Sequence, residues 1–133
     1  MRTLANPLLA LMLFLPMLGC RNLDPSGPYA GDKLLYTADD TITTGKDLLD
    51  LFLGWEKRSR TTLAGVPEVR RTADHIRANG KQWFATAIRL RETYNSAKTD
   101  ANASALREAL KVIQVALMES SAYLTKYGPA KAP

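Results

Sequence analysis

Few side chains in this 133-residue chain could carry acid–base or covalent chemistry. There is one histidine, His75, and one cysteine, Cys20, together with a group of aspartates at Asp39, Asp40, Asp47 and Asp50. Nucleophilic or general-base catalysis needs a nucleophile, a base beside it and a group that orients the base. His75 precedes Ile76 of an apolar helical seam, which places it beside the core as a surface residue rather than a catalyst. The aspartates lack the ligand spacing of a calcium loop, and acidic residues early in a helix complement its dipole. No HExxH, GxSxG, Walker or glycine-rich dinucleotide pattern occurs. The chain therefore reads as a non-catalytic protein that uses no cofactor and no metal.

Cys20 has a distinctive setting. Arg2 is followed by an apolar run from Leu8 to Leu18, which ends in Gly19-Cys20. That run is about 11 residues long, well short of the ~20 that a helix needs to cross the hydrocarbon core of a bilayer. A positive start, a short apolar centre and a small residue at the end are the marks of a secretory signal peptide. Met17-Leu18-Gly19-Cys20 resembles the lipobox of bacterial lipoprotein precursors. Gly19 and Cys20 match it, whereas Met17 and Leu18 depart from the usual residues.

The resemblance covers residues 1–20 only. It implies cleavage between Gly19 and Cys20, with diacylglycerol on the Cys20 sulfur and, in many diderm bacteria, a further acyl chain such as palmitate on its amine. Two or more chains anchor a protein stably, because each buried CH₂ contributes about 0.8 kcal/mol. It also implies a protein held on the periplasmic face of a bacterial membrane. Arg21 stands where an aspartate would favour inner-membrane retention, which points to the outer membrane. With no second cysteine, an exported chain has no disulfide framework to build.

Removal of residues 1–19 leaves 114 residues, enough for one domain. The remaining chain has 17 Lys+Arg against 13 Asp+Glu, a formal net of +4. That is mildly basic and far from the charge density of a dedicated nucleic-acid binder, so no nucleic-acid partner is expected. Residues 20–32 comprise the lipidated cysteine and then RNLDPSGPYAGD, a tether by its proline, glycine and small polar content.

Beyond the tether the apolar period is helical and strand patterns are absent. Val69, Ala73, Ile76, Gly80, Trp83, Ala87, Leu90 and Tyr94 alternate steps of four and three, an unbroken seam. Leu106, Leu110, Ile113, Leu117, Ser120, Leu124 and Tyr127 repeat it. Upstream, Leu48, Leu49, Leu51, Phe52 and Trp55 form an apolar face, continued on either side by Leu34, Leu35, Ala38, Ile42 and Leu63. The expected helices are 33–62, 67–96 and 100–127, with a short C-terminal tail over 129–133. The first either runs through or breaks near Thr43, where β-branched residues meet Gly45. Pro67 suits a first helical turn, Thr99 or Asp100 a cap, and Gly128-Pro129 a stop. Together these predict an all-α fold, an antiparallel three-helix bundle. Gly80 and Ser120 are small seam positions that would admit a large neighbour such as Trp55 or Trp83. Both tryptophans read as core.

Charge is the uneven feature. Lys57, Arg58, Arg60, Arg70 and Arg71 flank the first inter-helix turn, and Arg77 and Lys81 extend the series. An antiparallel hairpin would gather them at one end of the bundle. The cations close to a helix C-terminus are accounted for by the dipole, and the whole group is a candidate contact for an anionic partner. The functional expectation is a lipid-anchored, periplasm-facing binding or scaffolding protein of the bacterial envelope. Its partners would be the membrane, through Cys20, and an envelope protein. Alternatives are a pilotin-like secretion chaperone, a phage- or plasmid-derived exclusion lipoprotein, or a binder of anionic envelope polymers through the basic end. Apolar positions left exposed on the first helix equally suit a homodimer.

Overall fold

The computed structural model describes residues 31–129; the expected signal segment, Cys20, most of the expected tether and the last four residues lie outside that range. Three helices follow one another: α1 (Lys33–Arg58), α2 (Pro67–Ser96) and α3 (Asp100–Tyr127). They pack as an all-α bundle, and the unit they form begins at Leu34. No described helix is long and apolar enough to cross a membrane.

The chain enters α1 through Gly31, whose φ of 83° lies in the left-handed region that favours glycine. α2 begins at Pro67, whose fixed φ suits the first helical position. At the start of α3 the Thr99 hydroxyl accepts from the Asn102 N–H at 3.2 Å, so Thr99 and not Asp100 is the cap. The Gly128 N–H closes the other end on the Leu124 carbonyl at 2.9 Å, and Pro129 follows.

Cross-helix contacts fix the directions. Asp39 near the start of α1 meets Arg91 near the end of α2, while Glu56 near the end of α1 meets Arg77 in the first half of α2. These two helices are antiparallel. Gly45 lies beside Ile113 and Leu117, and Phe52 stacks on Tyr123, so α1 and α3 run parallel. One end of the bundle therefore joins the end of α1, the start of α2 and the end of α3.

Two clusters fill the interior. Near that end, Leu49, Phe52 and Trp55 meet Leu63, Val69, Ala73, Ile76 and Ala116. Toward the opposite end, Ala38 meets Ala87, Leu106, Leu110 and Ile113. Trp83, Phe84 and Leu117 border both clusters and join them. The α2 and α3 seams face inward throughout, and Phe84, Ala103, Ala116 and Tyr123 supplement them.

Three features define the first helix: two depart from expectation, and the third decides a point the sequence left open. It ends at Arg58, short of Thr62, and residues 59–65 form turns. Ser59, Thr61 and Thr62 are weak helix formers, and Pro67 bars a helical residue immediately before it. Leu63 is nonetheless buried, held in the connection by its N–H on the Ser59 carbonyl at 2.8 Å. Second, Leu51 points outward at 57% exposure, while Leu49, Phe52 and Trp55 face the core.

Third, the helix runs unbroken through Thr43 because Gly45 sits on its inner face. A Cβ there would come within 3.3 Å of both Ile113 Cγ2 and Leu117 Cδ1. The close approach attributed to Gly80 belongs to Gly45 instead, since a Cβ on Gly80 would meet only Ile76, at an ordinary 3.6 Å. Gly45→Ala should change stability little: a helix-propensity gain of up to ~1 kcal/mol opposes a few tenths of an ångström of adjustment. Gly45→Leu should lower the unfolding free energy by about 1–3 kcal/mol through overpacking. Urea unfolding midpoints of the two variants measure both effects.

Candidate functional site

The end built from the last turn of α1, the connection and the first turns of α2 concentrates the charge. Its organiser is Glu56. This residue follows Phe52 by one helical turn, so it lies on the inner face of α1 and is only 1% exposed. A buried carboxylate requires partners, and Glu56 has two. Arg60 Nε donates to Oε1 at 3.2 Å from one turn further along. Arg77 Nη2 donates to Oε2 from across the hairpin.

Arg77 is itself fully engaged. Its Nη1 donates to Asp74 Oδ1 at 2.9 Å and its Nη2 also reaches the Leu53 carbonyl at 3.4 Å. The hydrogen bond to Glu56, followed by the one to Asp74, holds the guanidinium pKa above its ordinary value against the opposing effect of burial. Asp74 in turn pairs with Arg70 Nε at 3.7 Å. Arg60, Glu56, Arg77, Asp74 and Arg70 thus form one chain of alternating charge that ties α1 to α2.

This network divides the five basic residues expected to form a contact. Arg60 is tied to Glu56, and Arg70 is loosely tied to Asp74. Lys57, Arg58 and Arg71 are exposed and form no ion pair among the described residues. Because α3 runs parallel to α1, Lys126 arrives at the same end, 5.1 Å above the Tyr127 ring. Hydrogen bonding to Tyr127 raises the Lys126 pKa, and the charge of Glu68 on α2 adds to it. Sequence reasoning missed Lys126 because its placement depends on helix direction. It missed the Glu56–Arg77 pair because the partners are 21 residues apart.

The remaining candidates have structural surroundings. The exposed His75 ring lies 5.3 Å from that of Trp83, tilted by 59°, and Asn79 Nδ2 is 3.2 Å from its Nδ1. Asp39 receives a two-pronged contact from Arg91, Nε to Oδ1 and Nη2 to Oδ2, both 2.9 Å. Asp40 accepts from the Thr44 hydroxyl at 3.4 Å. Among the described residues no group of three or more His, Cys, Asp or Glu side chains is placed to hold a metal ion. Trp55 is buried against Phe52, with ring centroids 5.8 Å apart, and Trp83 is half-buried between the two clusters. Gly19 and Cys20 lie outside the described residues.

No family model, curated protein or solved structure matches this chain.

Proposed function

We propose that this protein is a lipid-anchored, non-catalytic binding or scaffolding component of the bacterial envelope, with its bundle facing the periplasm. The observation that carries the reading is the lipobox-like Met17-Leu18-Gly19-Cys20, placed directly after an apolar run too short to span a bilayer. A Pro- and Gly-containing stretch then separates Cys20 from the bundle, as a tethered domain requires. The ordered charges of the bundle also suit a scaffold. Glu56, Arg77, Asp39 and Arg91 join α1 to α2, and such pairs hold helices in register.

Radiolabelled palmitate fed to cells producing the full chain should appear in the protein. Cys20→Ala should abolish the label, leave the precursor uncleaved and loosen membrane association against salt and carbonate washes. A variant that fractionates with membranes as firmly as the wild type would show that Cys20 is not the anchor.

A further inference from the structure

Helix α3 carries a second seam on the face turned away from the bundle. Ser104, Glu108, Lys111, Val115, Met118, Ala122 and Thr125 alternate steps of four and three, as the buried seam does, and all seven are exposed. Three of the five exposed large hydrophobics, Val112, Val115 and Met118, fall within one short stretch of this helix, each 42–48% exposed. The opposite face, with Leu106, Leu110 and Ile113, is the one the bundle buries. Apolar residues grouped on a four-three line are the pattern of a helix that packs on another helix.

The order of residues along this outer seam identifies the other helix as a second α3. Polar groups flank the apolar centre, with Glu108 and Lys111 before it and Thr125 and Lys126 after it. Glu108 and Lys126 are eighteen residues apart, which is five whole turns at about 3.6 residues per turn, so they share one line along the helix. Turn one copy end for end about a twofold axis level with the midpoint of Val115 and Met118. Each Val115 then meets the partner's Met118, and each Glu108 comes beside the partner's Lys126. Each Lys111 falls opposite the partner's Ala122, a small residue past which its ammonium group reaches water.

A parallel pair would instead set Glu108 on Glu108 and Lys111 on Lys111, and like charges so placed repel. Neither Glu108 nor Lys126 forms an ion pair among the described residues, so both are available to a partner. A twofold contact requires a patch that matches its own reversed image. An unrelated partner would set no such requirement on this face. A lipid surface is a poorer match, because Glu108, Lys111 and Glu119 interrupt the apolar strip.

We infer that the outer face of α3 is a dimerisation surface, on which two copies of this chain pair antiparallel. Val115 and Met118 form the centre, and a Glu108–Lys126 pair closes each end. The apolar centre is small, so the dimer is reversible and its population follows concentration. The pairing does not depend on the anchor at Cys20.

The test is sedimentation equilibrium of the full-length protein in density-matched detergent, over a series of concentrations. The wild type should pass from monomer to dimer as concentration rises. A Val115→Ser, Met118→Ser double variant should raise the dimer Kd at least about tenfold. Ile88→Ser, which removes an exposed apolar side chain from α2, should leave it unchanged. Glu108→Lys and Lys126→Glu should each weaken the dimer about threefold or more, whereas an equimolar mixture of the two should associate more tightly than either alone. That recovery arises only where position 108 of one copy faces position 126 of the other. Matching circular dichroism would show that every variant is folded.

A wild type that stays monomeric at every concentration would overturn the proposal and leave the face to a different partner. A dimer that survives loss of Val115 and Met118 would place the association elsewhere on the molecule. A mixture no tighter than its components would refute the antiparallel arrangement.

Discussion

Glu56→Ala is expected to lower the unfolding free energy by about 3 kcal/mol, the lower end of the cost of breaking a buried ion pair. Glu56 is 1% exposed, but the Arg77 side chain retains 31% exposure and recovers some hydration when its partner is lost. For a domain of this size the loss corresponds to a fall in melting temperature of roughly 12–24 °C, measurable by circular dichroism. Removing Arg60 instead should cost less than about 1 kcal/mol, because its side chain is 42% exposed and Arg77 still serves the carboxylate. A Glu56→Leu, Arg77→Met double variant should recover much of the loss, since the pair's main requirement is that neither member be left alone. If Glu56→Ala costs no more than Arg60→Ala, the carboxylate is hydrated and the two guanidinium groups do not hold it in the core.

Phe52→Ala should be at least as damaging, at about 3–5 kcal/mol. The ring is fully buried, with Trp55 at 5.8 Å on its own helix and Tyr123 at 6.3 Å across the bundle. Its removal leaves a cavity where α1 meets both partners, and a backbone already in a helix cannot close around it. The adjacent Leu51→Ala provides the contrast, with an effect within about 0.5 kcal/mol because that side chain faces water. Guanidinium unfolding of the two variants reads the difference. Similar effects at both positions would mean that Phe52 does not face the core. Phe52 and Glu56 are one turn apart, so the double loss should fall short of the sum.

The sequence disclosed the architecture unevenly, for identifiable reasons. The α2 and α3 seams were legible because their apolar residues keep the four-three alternation across about seven and about six turns, a period that only a helix satisfies. On α1 the inner face runs through Ala38, Thr41, Gly45, Leu49, Phe52 and Glu56, half of them residues that do not look apolar. Thr41 and Gly45 imitated a break, and Leu51 appeared to extend the face from the outside. The purpose of Gly45 becomes clear only once Ile113 and Leu117 are placed beside it.

The basic end was legible as a composition but not as an arrangement. That Lys57, Arg58, Arg60, Arg70 and Arg71 meet at one end follows from a hairpin with a short turn. Which of them are engaged does not follow, because it depends on a carboxylate drawn into the core. Glu56 looked like any charged residue in a run of cations. The Glu56–Arg60 spacing of four is visible in the sequence, whereas the register that brings Arg77 to the same carboxylate is set by packing along the whole hairpin.

The two connections differ in length, eight residues between α1 and α2 against three between α2 and α3. Together with the parallel course of α1 and α3, this imposes an order on folding. α2 and α3 close on each other across the shorter connection, and α1 can meet α2 through Glu56–Arg77 and Asp39–Arg91, but its second partner lies near the end of the chain. Tyr123, which stacks on Phe52, follows it by about 70 residues. Val69, Ala73 and Ile76 can cover one side of α1 early, but the side that meets Ile113, Leu117 and Tyr123 stays open until the end of the chain is in place. The helix that comes first in the chain is therefore the one whose packing is completed last.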